Sequence, residues 1–142
     1  MVEPLRPFSN VVIERRFLTQ QEIARLHKDY GAFLCPSRMD TQGVSRDEAM
    51  ASGLVPITNA VAAIPEFVSD QEGLLAPGED SSALAQGIRR LAQDPQLFKR
   101  LSENAALRVR QQSGKRQVIE QELSLFVIAT PKATLANDKP ME

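Results

Sequence analysis

Within the run Arg38–Gly53, "RMDTQGVSRDEAMASG", two carboxylates stand eight positions apart, Asp40 and Glu48, with Gly43 between them. A carboxylate can accept hydrogen bonds from two vicinal hydroxyls, as a sugar or a ribose presents them. The unpaired backbone N–H groups of a helix start, here about Gly43 to Arg46, attract a phosphate through free donors and the helix dipole. A glycine at position 43 lets the backbone approach a ligand closely. Phosphate donors beside hydroxyl acceptors describe a nucleotide-sugar site. The same residues also fit a plainer reading, because Ser45 and Glu48 have capping-box spacing and Asp47 suits the first turn of any helix. Spacing alone leaves both readings open, and they can coexist.

The elements around this run must hold it at the end of a sheet. Asn10–Ile13, "NVVI", is a β-branched run that reads as a short buried strand. Thr19 and Glu22 then form a capping box ahead of Ile23, Leu26 and Tyr30, so a helix starts at Thr19. "GAFLCP" is a second strand and leads into the acid-bearing loop, whose helix closes at Gly53. "LVPIT" continues the strand pattern, "AIPEFVSDQEG" reads as a short helix and "GLLAP" as a last short strand. Asp80–Leu91 reads as a helix with Leu84, Ile88 and Leu91 on one face. Asp94 and Pro95 open another, carrying Leu97, Phe98, Leu101 and Ala105, and Ser113 is placed to cap a final helix with Val118, Ile119, Leu123 and Phe126.

Alternating strands and helices imply an α/β fold, a parallel sheet flanked by helices, with further helices at the C-terminal end. A doubly wound sheet has about five or six strands, and about four are legible, so the first βα units are lacking. The chain reads either as a small αβα domain or as the rear part of a larger one. Ligands of open parallel sheets bind beyond the carboxyl ends of the strands, which is where the Asp40–Ser45 loop falls.

The 142 residues suit one domain: residues 1–9 form a lead-in, 10–129 the domain and 130–142 a flexible tail. Lys plus Arg number 17 against 18 acids, so no global field draws a nucleic acid or an anionic membrane surface. Leu125–Ala129, the longest late apolar run, is far below the ~20 residues of a membrane span. A single cysteine, Cys35, excludes an internal disulfide and fits a reducing, cytoplasmic setting. No acid-rich pair or histidine cluster calls for a metal. The lone His27 reads as a surface histidine, Cys35 as a buried strand thiol and Glu66 as a first-turn acid. Arg38 and Arg46 flank the phosphate position as exposed arginines, and the basic groups of Arg89–Arg100 and Arg108–Arg116 read as solvated faces.

The run "FLCPSRMDTQGVSRDEAMASGLVPITNAVAAIPEFVSDQEGLLAPGEDSSALAQGIRRLAQDP" resembles the nucleotide-binding C-terminal domain of retaining GT-B glycosyltransferases of family 4. The shared pattern is Pro-Ser, an acid, seven residues, Glu-Ala-Met-Ala, a glycine and an apolar strand, then Gly-Leu-Leu and an "Asp, small, Ala-Leu-Ala" helix. The likeness extends over about Asn10–Phe126. It implies a partial Rossmann-like domain in which Glu48 bonds the donor's ribose and Asp40 faces the donor sugar near the reacting centre. It further implies that the amides of Gly43, Val44 and Ser45 meet the sugar and diphosphate, with no metal or other cofactor. Arg38 and Arg46 would replace part of the Arg/Lys clamp that family members carry upstream. Asp40 stands where the family has Glu, Thr41-Gln42 where it has a Gly-aromatic pair, and Ala62-Ala63 where it often has two glycines. The partners implied are a nucleotide sugar and an N-terminal glycosyltransferase domain that this chain lacks, without which transfer is not expected. The alternative is a non-catalytic nucleotide-binding or interaction module, a truncated remnant or a subunit of a split enzyme.

Overall fold

The structure is a computed structural model that describes residues 3–129. It contains three parallel strands, β1 (Ala32–Cys35), β2 (Val55–Asn59) and β3 (Leu74–Ala76), in the order β1-β2-β3. Six α-helices surround them: α1 (Gln20–Leu26), α2 (Val44–Ala51), α3 (Ile64–Phe67), α4 (Ser81–Gln93), α5 (Pro95–Ser113) and α6 (Lys115–Ala129). β2 is the central strand, and all five of its residues are buried. Both of its faces are therefore covered, as a parallel strand requires.

Val55 and Ile57 of β2 pack with Ala76, Leu84, Leu91, Leu97 and Leu101, which joins the sheet to α4 and α5. Met50 of α2 meets Val68 and Ala105 in a second cluster. The α5 helix is the common support, packing against α2, α4, α6 and β2. Its start is set by Asp94, whose Oδ1 accepts from the amides of Gln96 and Leu97 at 3.1 and 2.9 Å, with Pro95 in the first turn. Asp80 caps α4 in the same way, accepting from the Ala83 amide at 2.9 Å. Thr19 and Glu22 form the expected capping box of α1.

Several expectations change. Asn10–Ile13 is not a strand, and Val12 is 76% exposed. A β-branched run becomes a strand only where a ladder receives it, so the sheet has three strands rather than four. β1 is consequently an edge, with Leu34 exposed and Cys35 half-buried instead of fully enclosed. Ser113 ends α5 rather than capping α6, and Gly114 separates the two helices. Ile88 on α4 is 44% exposed, beside a shallow apolar groove shared with Gly31, Ala32 and Phe98. The basic side chains of Arg89, Arg90, Lys99, Arg100, Arg108 and Arg110 are exposed, as solvated faces should be. Residues 130–142, read from sequence as a flexible tail, lie outside the described residues.

Candidate functional site

The Asp40–Gly43 loop leaves the carboxyl end of β1 and turns into α2 at Gly43. Gly43 is the N-cap of α2 in the left-handed conformation, φ 70°, with no side-chain hydrogen bond to the first turn. The capping-box reading of Ser45 and Glu48 is therefore overturned. The helix begins at Val44, so Ser45 and Glu48 both lie within it. With no side chain on the cap, the amides of Val44 and Ser45 keep the free donor capacity of a helix start. Thr41, Gln42, Val44 and Ser45 are exposed.

Asp40 is held by its own loop. Its Oδ1 accepts from the Gln42 amide at 3.1 Å, and its carbonyl accepts from the Ala63 amide at 3.3 Å. The second bond draws in the Val61–Ala63 turn, where Ala62 takes φ 48°. Ala62-Ala63 thus stands directly beside the first acid. Arg38 and Glu79, also at the carboxyl end of the sheet, are exposed and paired at 2.7 Å.

Arg46 departs most from expectation. Its side chain is 1% exposed and turns inward beneath the loop, instead of standing in solvent beside the phosphate position. Nη2 donates to the Gln42 carbonyl at 2.7 Å and to Asp47 Oδ1 at 3.1 Å, and Phe67 lies 5.1 Å below the guanidinium. Burial raises the Asp47 carboxyl above its ordinary range, Arg46 opposes that shift and Asp40 adds to it. Burial likewise raises the Cys35 thiol, with a further push from Asp40. Asp47, Gln42 and Phe67 were missed as members of this arrangement. An acid adjacent to an arginine was the one sign of it in the sequence.

Glu48 lies one turn into α2 and is partly buried, with no hydrogen bond or ion pair on its carboxylate among the described residues. It lines a groove of about 260 Å³ with Gln20, Ile23, Ala24, His27 and Ser52. His27 is not a surface histidine, since it is only 9% exposed and its Nδ1 lies 3.2 Å from Ser52 Oγ. The Ser52 hydroxyl also lies 3.0 Å from the Glu48 carbonyl, so His27, Ser52 and the Glu48 backbone form one chain of polar contacts. That chain ties the residue after α1 to the end of α2, and both of its side chains line the groove with Glu48. A hollow of about 400 Å³ beside β3 and α4 shares no residue with the loop or with Glu48.

Residues 10–108 match the family model of the glycosyl transferases group 1. The chain belongs to that family. Among relatives, it is 34% identical over 99 residues to a D-inositol 3-phosphate glycosyltransferase of Streptomyces bingchenggensis, covering 69% of this chain and 22% of the relative. A D-inositol 3-phosphate glycosyltransferase of Streptomyces avermitilis is 30% identical over 99 residues, covering 69% and 21%. The chain thus spans about a fifth of the length of these curated relatives. Its fold is similar to that of the C-terminal domain of a glycosyl transferase group 1 family protein from Francisella tularensis, with TM-score 0.66, 24% identity, and 76% and 56% coverage. A sucrose-phosphate synthase from Thermosynechococcus elongatus matches with TM-score 0.52 and 28% identity, over 68% of this chain and 26% of that one. The α/β architecture of this group 1 chain is accordingly that of GT-B glycosyltransferases, in part. Among the described residues no helix is long and apolar enough to cross a membrane.

Proposed function

We propose that this chain is the donor-binding part of a glycosyltransferase and takes a nucleotide sugar at the Asp40–Glu48 segment. Membership of glycosyl transferases group 1 supports the reaction class. The observation that carries the reading is the uncapped, glycine-initiated start of α2 at the carboxyl end of β1, with the free carboxylate of Glu48 one turn on. The amides of Gly43, Val44 and Ser45 meet the diphosphate and stabilise it as it leaves. Glu48, in its groove, accepts from the ribose hydroxyls. Asp40 stands closest to the donor sugar. Arg46 supports this arrangement from beneath, and no metal is assigned a role.

Transfer also needs an acceptor held against the donor in a closed cleft. On this reading the chain binds donor but transfers no sugar alone, and it works in the cytoplasm with an N-terminal glycosyltransferase domain. A second reading, an interaction module within a split enzyme, is favoured by the exposed β1 edge with Leu34 at 48% exposure.

Ligand-observed NMR with UDP, GDP and ADP, repeated on Glu48→Gln, tests the donor reading. Binding of one nucleotide, weakened about tenfold or more in the variant, is expected from loss of a charged acceptor worth about 1.5–3 kcal/mol. Absence of binding at millimolar concentration, where even a weak site registers, would refute it.

A further inference from the structure

Arg46 is a buried cation with one nitrogen unspent. The side chain is 1% exposed, and Nη1 has no hydrogen-bond partner among the described residues. A buried charge is tolerated only where its surroundings compensate it, so the groups around this guanidinium show what it holds. Nη2 donates to the Gln42 carbonyl at 2.7 Å, while Nη2 and Nε both reach Asp47 Oδ1, at 3.1 and 3.3 Å. Phe67 closes the lower face at cation–π distance, 5.1 Å. On the loop side, a Cβ on Gly43 would fall 2.6 Å from Cζ. Nη1 lies 3.9 Å from Asp40 Oδ2, the carboxylate oxygen that the Gln42 amide leaves unused.

The fork therefore meets the loop at three points: the Asp40 carboxylate, the Gln42 carbonyl and the Gly43 backbone. We propose that Arg46 is the positioning residue of this loop. Its planar guanidinium sets the orientation of the Asp40 carboxylate and the left-handed turn at Gly43, while touching no ligand itself. What Asp40 then does for the donor rests on the reading above; the positioning itself does not. A lysine would keep the charge but not the flat fork that fits between Gly43 and Phe67.

Ligand-free NMR tests this, so a failure of nucleotide binding remains a separate result. In the unsubstituted chain the Arg46 Nε–H should exchange slowly with water and show a cross-peak to Gly43 Hα, whereas the exposed Arg38 should show neither. Folded Arg46→Met should speed exchange of the Gln42 amide about tenfold or more and leave the β2 amides unchanged. Arg46→Lys should not restore the slow rate. Asp40→Asn should also speed Gln42 exchange, and in the Arg46→Met/Asp40→Asn double variant the two effects should combine to less than their product, because the Arg46–Asp40 contact is lost in both single variants. The proposal is overturned if Arg46 Nε–H exchanges as fast as that of Arg38, if Gln42 is unaffected in folded Arg46→Met, if lysine restores the rate, or if the two effects multiply. Should Arg46→Met fail to fold, the Nε–H measurement on the unsubstituted chain decides alone.

Discussion

Gly43 lies flat against the guanidinium of Arg46, three positions on, so closely that a Cβ at position 43 would sit 2.6 Å from both Cζ and Nη1. Gly43 also has φ 70°, a conformation that disfavours side chains independently of the contact. Gly43→Ala should therefore lower stability by about 2 kcal/mol or more, of which left-handed strain supplies about 1–2. Urea unfolding checks this; a loss below about 0.5 kcal/mol would mean that the loop re-forms without the contact.

Ala62 is the opposite case. It holds φ 48° with a Cβ present, in the turn that bonds the Asp40 carbonyl. Ala62→Gly should raise stability by about 0.5–1 kcal/mol, because relief of left-handed strain outweighs the added freedom of the unfolded chain. An unchanged denaturation midpoint would show that the strain is absorbed elsewhere.

The α1 start carries an acid-sensitive link. The Thr19 amide, then Arg16 and the Thr19 hydroxyl hold the Glu22 carboxyl at about 2, below its ordinary 4.5. A depressed carboxyl stabilises the fold above its unfolded pKa and loses that contribution as pH falls toward the folded value. The protection of the α1 amides, meaning their exchange rate relative to an unstructured chain at the same pH, should fall between about pH 4.5 and 2, and Glu22→Gln should abolish that step. An acid titration that leaves the α1 amides unchanged would remove the capping box from the account.

Leu101 and Leu107 separate core from surface on one helix. Leu101 is 0% exposed within the cluster around Val55 and Ile57, while Leu107 is 53% exposed. Leu101→Ala should cost about 2–5 kcal/mol, and Leu107→Ala should stay within about 0.5 kcal/mol. Calorimetry of the two variants gives the comparison directly, and equal losses would mean that α5 is packed differently.

Local signals carried far where the chemistry itself was local. Thr19 with Glu22, Asp80, and Asp94 with Pro95 act within one helical turn, and each sits at the start of its helix. The apolar runs of β2 and β3 became strands because neighbours pair with them, whereas the equally β-branched Asn10–Ile13 has no ladder and stays irregular. The same limit applied to His27, whose burial depends on Ser52 twenty-five positions away.

The sequence by itself determined the kind of domain and the place of its site: spacing put two acids and a glycine in a loop after a strand, and their types suit phosphate and hydroxyl recognition. Only the tertiary structure decided which of those residues face solvent. Arg46 and Ser45 are neighbours in sequence, yet α2 packs against α5 and the sheet so that one is enclosed and the other exposed. Helix rotation is set by the burial of Ala49 and Met50. That rotation carries Arg46 under the loop, and the carbonyl, carboxylates and ring that compensate its charge come from Gln42, Asp40, Asp47 and Phe67. No spacing rule assembles that set, because Phe67 comes from α3, which follows the loop in the chain only after α2 and β2.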